Sequence, residues 1–145
     1  ANDPYATANR GGSAARFTKA ASMLGSATSV DGAFAILDAV AQGHWTRWSI
    51  VYDLRNAVVH YRTLENRERR RVKLRAFDFA CATPVQMLDV DAGAGDVTAH
   101  FTDYTYAANL ALARRSLLGT SFTKATPPSE IEAAARHPES ATCAR

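Results

Sequence analysis

Cysteine is scarce in this chain. Cys81 and Cys143 are its only two, and neither lies in a C-x-x-C pair or in a Cys/His cluster with metal-ligand spacing, which argues against a zinc site. The two read as unpaired thiols, because Cys143 falls in a polar tail, with a disulfide between them as the other reading. No apolar run approaches the roughly 20 residues of a membrane helix. The start, Ala1-Asn2-Asp3-Pro4-Tyr5, lacks the basic then apolar organisation of a signal peptide, so the compartment stays open. Phosphate-cradling motifs are missing too: Gly93-Ala94-Gly95-Asp96 reads as a loop, with no G-x-x-x-x-G-K and no G-x-G-x-x-G opening a helix. His44, His60, His100 and His137 are scattered, and no G-x-S-x-G or H-E-x-x-H accompanies them. Residue types alone name no reaction, no metal and no cofactor.

What is present is an ordinary globular composition, 47% hydrophobic and 21% charged over 145 residues, the size of one domain. The net charge of +3 is local in origin: Arg67, Arg69, Arg70, Arg71, Lys73 and Arg75 lie close together. In Arg71-Val72-Lys73-Leu74-Arg75 the charges alternate with apolar residues, which places them on the solvated face of a strand. Single-strand nucleic-acid surfaces interleave aromatics with such charges. None lies between Arg67 and Arg75, so neither a nucleic-acid nor a membrane partner is expected.

The periodicity predicts mixed α+β structure. Residues 2–12 read as a loop. A first helix follows, with Ser13 as its cap, Phe17, Ala20, Ala21 and Leu24 on one face and Gly25 as its stop. Arg16 in the first turn is unusual, since the positive end of the helix dipole is there. Ser29 and Asp31 open a second helix that carries Val30, Ala33, Phe34, Leu37 and Val40 and ends at Gly43. From Trp45 to Thr63 the alternation of Trp48, Ile50, Tyr52 and Leu54, a turn at Arg55-Asn56, and a Val-rich second run predict an antiparallel hairpin. More sheet follows, then a helix capped by Asp103 and running to Leu118. Residues 120–145 read as a disordered tail with a transient helical turn around Glu130 to Arg136. His60, on the second strand, reads as a satisfied sheet histidine rather than a general base.

Three pieces fall in a recognisable order: an Asn-containing turn at Asn2, the helix start Ser13-Ala14-Ala15-Arg16-Phe17, and T-R-W-S-I-V-Y-D-L-R-N followed by V-V-H-Y-R-T. Over roughly Asn2 to Leu118 the chain resembles the C-terminal part of the linear amide C-N hydrolases, the choloylglycine hydrolase group of bile salt hydrolases and penicillin V acylases. The resemblance implies residues 1–119 as the C-terminal portion of a four-layer αββα N-terminal nucleophile hydrolase. In that fold an N-terminal cysteine attacks the amide and its own α-amino group takes the proton.

By the same resemblance Asn2 would stabilise the oxyanion and Arg16 would sit beside the thiol, favouring the thiolate. The substrate would be a small acyl amide. The cysteine-bearing half is not among these residues, so the expectation is a fragment or remnant, inactive alone, with exposed apolar surface. Its partner would be a complementing N-terminal chain or a second copy of itself. The alternative is a non-catalytic protein that binds a partner through its exposed sheet and helices.

Overall fold

The computed structural model describes residues 12–119, 121 and 123–140. In chain order its helices are α1 (Ser13–Met23), α2 (Val30–Ala39), α3 (Tyr106–Leu118) and α4 (Pro128–Arg136). The strands are β1 (Trp48–Asp53), β2 (Val58–Thr63), β3 (Arg70–Lys73), β4 (Gln86–Met87), β5 (Gly95–Asp96) and β6 (Thr102–Asp103). They form two compact units, one running to Phe77 with Asp89–Ala99 added, the other Asp78–Leu88 with the residues from His100 on. The class is α+β with mostly antiparallel pairing.

In the first unit the strands lie in the order β1-β2-β3-β5, antiparallel except for β5 beside β3. The register pairs Trp48 with Thr63, Ile50 with Tyr61 and Tyr52 with Val59, while Tyr61 faces Arg70 and Val59 faces Val72 across β3. Alternation therefore puts Trp48, Ile50, Tyr52, Tyr61, Arg70 and Val72 on one face. Ser49, Val51, His60, Arg62 and Arg71 fall on the other. The connecting turn is tied by Asp53, whose Oδ1 accepts from the Asn56 N–H at 3.1 Å and whose Oδ2 accepts from Asn56 Nδ2 at 2.7 Å. Ala57 completes the turn at φ 54°, in the left-handed region that a residue with a Cβ seldom occupies.

Helix α2 covers the second face. Its N-terminus is capped as the sequence predicts, with Ser29 Oγ accepting from the Gly32 N–H at 3.1 Å. It stops at Ala39, short of the expected Gly43; that glycine, at φ 57°, instead opens a 3-10 turn over Gly43–Trp45. Phe34 is buried, its ring flanked by the Arg62 and Arg69 guanidinium carbons at 5.1 and 4.6 Å from the ring centre. Each arginine is fixed by a carboxylate of the same helix, Arg62 by Asp38 and Arg69 by Asp31. Helix α1 packs on α2. Gly12, not Ser13, occupies its cap position, and no side chain caps it.

In the second unit Thr105 caps α3 through its Oγ1, which accepts from the Ala108 N–H at 3.2 Å, in place of the expected Asp103. Asp103 lies in β6, paired with Gln86 of β4. The polar composition after residue 120 reads as a tail, yet α4 is a docked helix there, with Ile131 and Ala135 buried against α3. The Ala135 carbonyl accepts from the Tyr104 hydroxyl and from Asn109 Nδ2, both at 2.8 Å. The Arg136 guanidinium lies 3.9 Å from the centre of the Tyr106 ring. A four-residue apolar repeat with a Pro-Pro start suffices for a helix once α3 is there to receive it. Among the described residues no helix is long and apolar enough to cross a membrane.

Candidate functional site

Arg16 lies in the first turn of α1, half-buried, with its backbone N–H bonded to the Gly12 carbonyl at 3.2 Å. Among the described residues no ion pair includes it. Its guanidinium thus has no carboxylate partner among the described residues. Asn2 lies outside the described residues. Phe17, next to Arg16, is 76% exposed, so this end of α1 presents a cation and an aromatic ring together.

Beside the N-terminus of α2 an open groove of about 510 Å³ is lined by Ala27, Ser29, Val30, Val51, Asp53 and Asn56 among others. Its one carboxylate is spoken for. The side-chain bond from Asn56 and the backbone N–H of the same residue hold Asp53 below the usual carboxylate range, so it is no general base near neutrality. His60, on the same sheet face, has its pKa lowered mainly by burial, with Arg69 and Arg71 adding to that and Asp53 and Asp31 opposing it. A neutral, sheet-embedded imidazole agrees with the structural role read from the sequence.

Three of the six cations of the basic cluster meet carboxylates within the unit. Arg69 pairs with Asp31, and Asp96 receives Lys73 Nζ at 2.8 Å and Arg71 Nε at 3.6 Å. The Lys73 ammonium, then the Thr98 hydroxyl and N–H, hold Asp96 far below the ordinary carboxylate pKa. A depressed folded-state pKa contributes stability that is present above the unfolded value of about 4 and is lost as pH falls through the folded one. Asp96→Asn is therefore expected to flatten part of the fall in melting temperature between about pH 5 and about pH 2; scans at those pH values check it, and an unchanged slope refutes it.

Among the described residues no three His, Cys, Asp or Glu side chains gather as metal ligands would. Cys81 is disulfide-bonded, which corrects the reading of it as an unpaired thiol; the sequence's other cysteine, Cys143, lies outside the described residues. Composition could not reveal that bond, because a single widely spaced pair fixes no geometry. No family model, no curated protein and no solved structure matches this chain. What can be said of its chemistry rests on its own residues.

The uncovered surface is the most pronounced feature of the first unit. β1 is a terminal strand of the sheet among the described residues. On the face turned away from α2 it carries Trp48 at 63% exposure and Tyr52 at 62%, and next to it Leu54 is 87% exposed. An open edge with large aromatics on it invites a further β-layer or strand. Sequence alternation alone places these rings on one face but cannot tell that its β1 end is exposed while Tyr61, Arg70 and Val72 on it are buried.

Proposed function

We propose that this chain carries the C-terminal part of a linear amide C-N hydrolase of the αββα type and acts only with a segment that supplies the cysteine nucleophile. The observation that carries the reading is the exposed aromatic edge of the sheet at β1. Helix α2 packs on one side with α1 behind it, while on the other side the β1 edge leaves Trp48 and Tyr52 in solvent and Tyr61, Arg70 and Val72 of β2 and β3 are buried. In a four-layer sandwich the exposed β1 part of that side would face the second sheet, which gains about 25 cal/mol for each Å² of apolar surface it covers. The T-x-W-S-x-V-Y-D-L stretch that carries the family resemblance forms β1 and the turn after it, and the uncommitted Arg16 agrees with a place beside a thiolate. Asn2 would supply the amide donor to the oxyanion. The substrate is a linear acyl amide, with penicillin V and conjugated bile acids as the class to try.

The chain alone is expected to give no measurable turnover of either substrate. A reading frame extended upstream to the initiating Met-Cys that this reading requires is expected to give turnover. Activity of the chain by itself, or an extended protein without activity, sinks the proposal. The same exposed β1 edge supports a second reading, a non-catalytic protein that binds a partner through this sheet, and a clean monomer in size-exclusion chromatography would count against both.

A further inference from the structure

We propose that Arg70 forms a binding site for a carboxylate in the first unit, an inference that stands apart from the amidase reading. Arg70 begins β3 on the face opposite α2 and has no solvent exposure at all. Its Nη2 donates to Thr63 Oγ1 at 3.3 Å and to the Asn66 carbonyl at 3.2 Å, both long bonds. Its Nε and Nη1 are buried without any hydrogen-bond partner, and so is the hydroxyl of Tyr61, over whose ring the guanidinium lies at 4.8 Å. Among the described residues no carboxylate comes within ion-pairing distance of Arg70.

An arginine cannot shed its proton, so burial does not neutralise it as it would a lysine. A buried charge with two unpaired donors is costly, and an apolar side chain of similar volume would avoid that cost. Arg62 makes the comparison within the same sheet: on the other face, it has Asp38 as its counter-ion. Arg70 has the planar donors that suit a carboxylate and lacks one. Asp91 is linked to it only indirectly, since Thr63 Oγ1 lies 2.5 Å from Asp91 Oδ1 and also accepts from Arg70 Nη2. Asn66 Nδ2 fastens the same surface loop by donating to the Asp91 and Gly93 carbonyls at 2.8 and 3.0 Å. Release of these surface bonds is the way in for a small anion, and the guanidinium edge is what it finds.

The test uses acetate as the probe and the full chain as the protein. Sodium acetate is titrated at constant ionic strength against sodium chloride, with acetamide as the neutral control, while the arginine side-chain Nε–H resonances and the melting temperature are followed. Acetate is expected to shift the Arg70 Nε–H signal saturably. At ten times its Kd it is expected to raise the melting temperature by about 5 °C. Chloride and acetamide are expected to do neither. Arg70→Met should abolish the response. Arg70→Lys keeps the charge without the planar donors and should weaken it at least tenfold, which leaves a second variant if the first does not fold. No response to acetate, an equal response to chloride or acetamide, a response that survives in Arg70→Met, or one weakened less than tenfold in Arg70→Lys overturns the proposal.

Discussion

Phe34→Ala is expected to destabilise the first unit by about 3–5 kcal/mol, the usual cost of deleting a buried phenyl ring and leaving the space behind it. Phe34 is only 2% exposed, and it is the apolar centre on which α2 meets the sheet. The ring also sits between the guanidinium groups of Arg62 and Arg69, each contact worth roughly 0.5–1 kcal/mol or more as its surroundings dry out. The ion pairs to Asp38 and Asp31 contribute little beside this, because Asp38 is 56% and Asp31 80% exposed and exposed pairs are worth about 0–1 kcal/mol. Phe34→Leu keeps most of the buried volume and should cost about half as much, on the order of 2 kcal/mol. Denaturant titrations of the three proteins check this order. A Phe34→Ala variant within about 1 kcal/mol of the parent would mean that α2 is not anchored through this ring.

In the cysteine-bearing protein that the amidase reading proposes, Arg16→Met should lower kcat by about 100-fold, the scale of losing one charged stabiliser beside a reacting centre. The sign of the accompanying pH effect follows from electrostatics. A nearby guanidinium favours the thiolate, so its removal raises the thiol pKa and moves the acid limb of kcat/KM to higher pH. A merely structural arginine would lower the melting temperature and leave that limb in place. Lys19→Met, an exposed change one turn along the same helix, is the control and should alter neither rate nor profile. An Arg16→Met enzyme with parental kcat and an unmoved limb would remove Arg16 from the site.

The sequence by itself determined the elements and their faces. Ser29 capping α2, the Trp48–Asp53 alternation and the turn after it are local, set by side-chain oxygens near free amides and by the two-residue period of a strand. The resemblance, and with it the role proposed for Arg16, rests on the linear string of residues alone. Helix ends were less so: the cap of α3 is Thr105 rather than Asp103 because the turn that positions an oxygen over the first amides is a matter of backbone path, not of residue type.

Only the tertiary structure decided the rest, because each remaining feature depends on residues distant in sequence. Composition averages over residues 120–145, but α4 is held by Ile131 and Ala135 against α3 and by two side chains donating to one carbonyl. The run Arg69-Arg70-Arg71 reads as one basic patch. In the folded chain Arg69 stacks on Phe34 and pairs with Asp31, Arg71 turns to Asp96, and Arg70 is fully buried on the opposite face. Strand alternation separates Arg70 from the other two, and what packs on each face then leaves one arginine against a helix, one at a surface carboxylate and one buried.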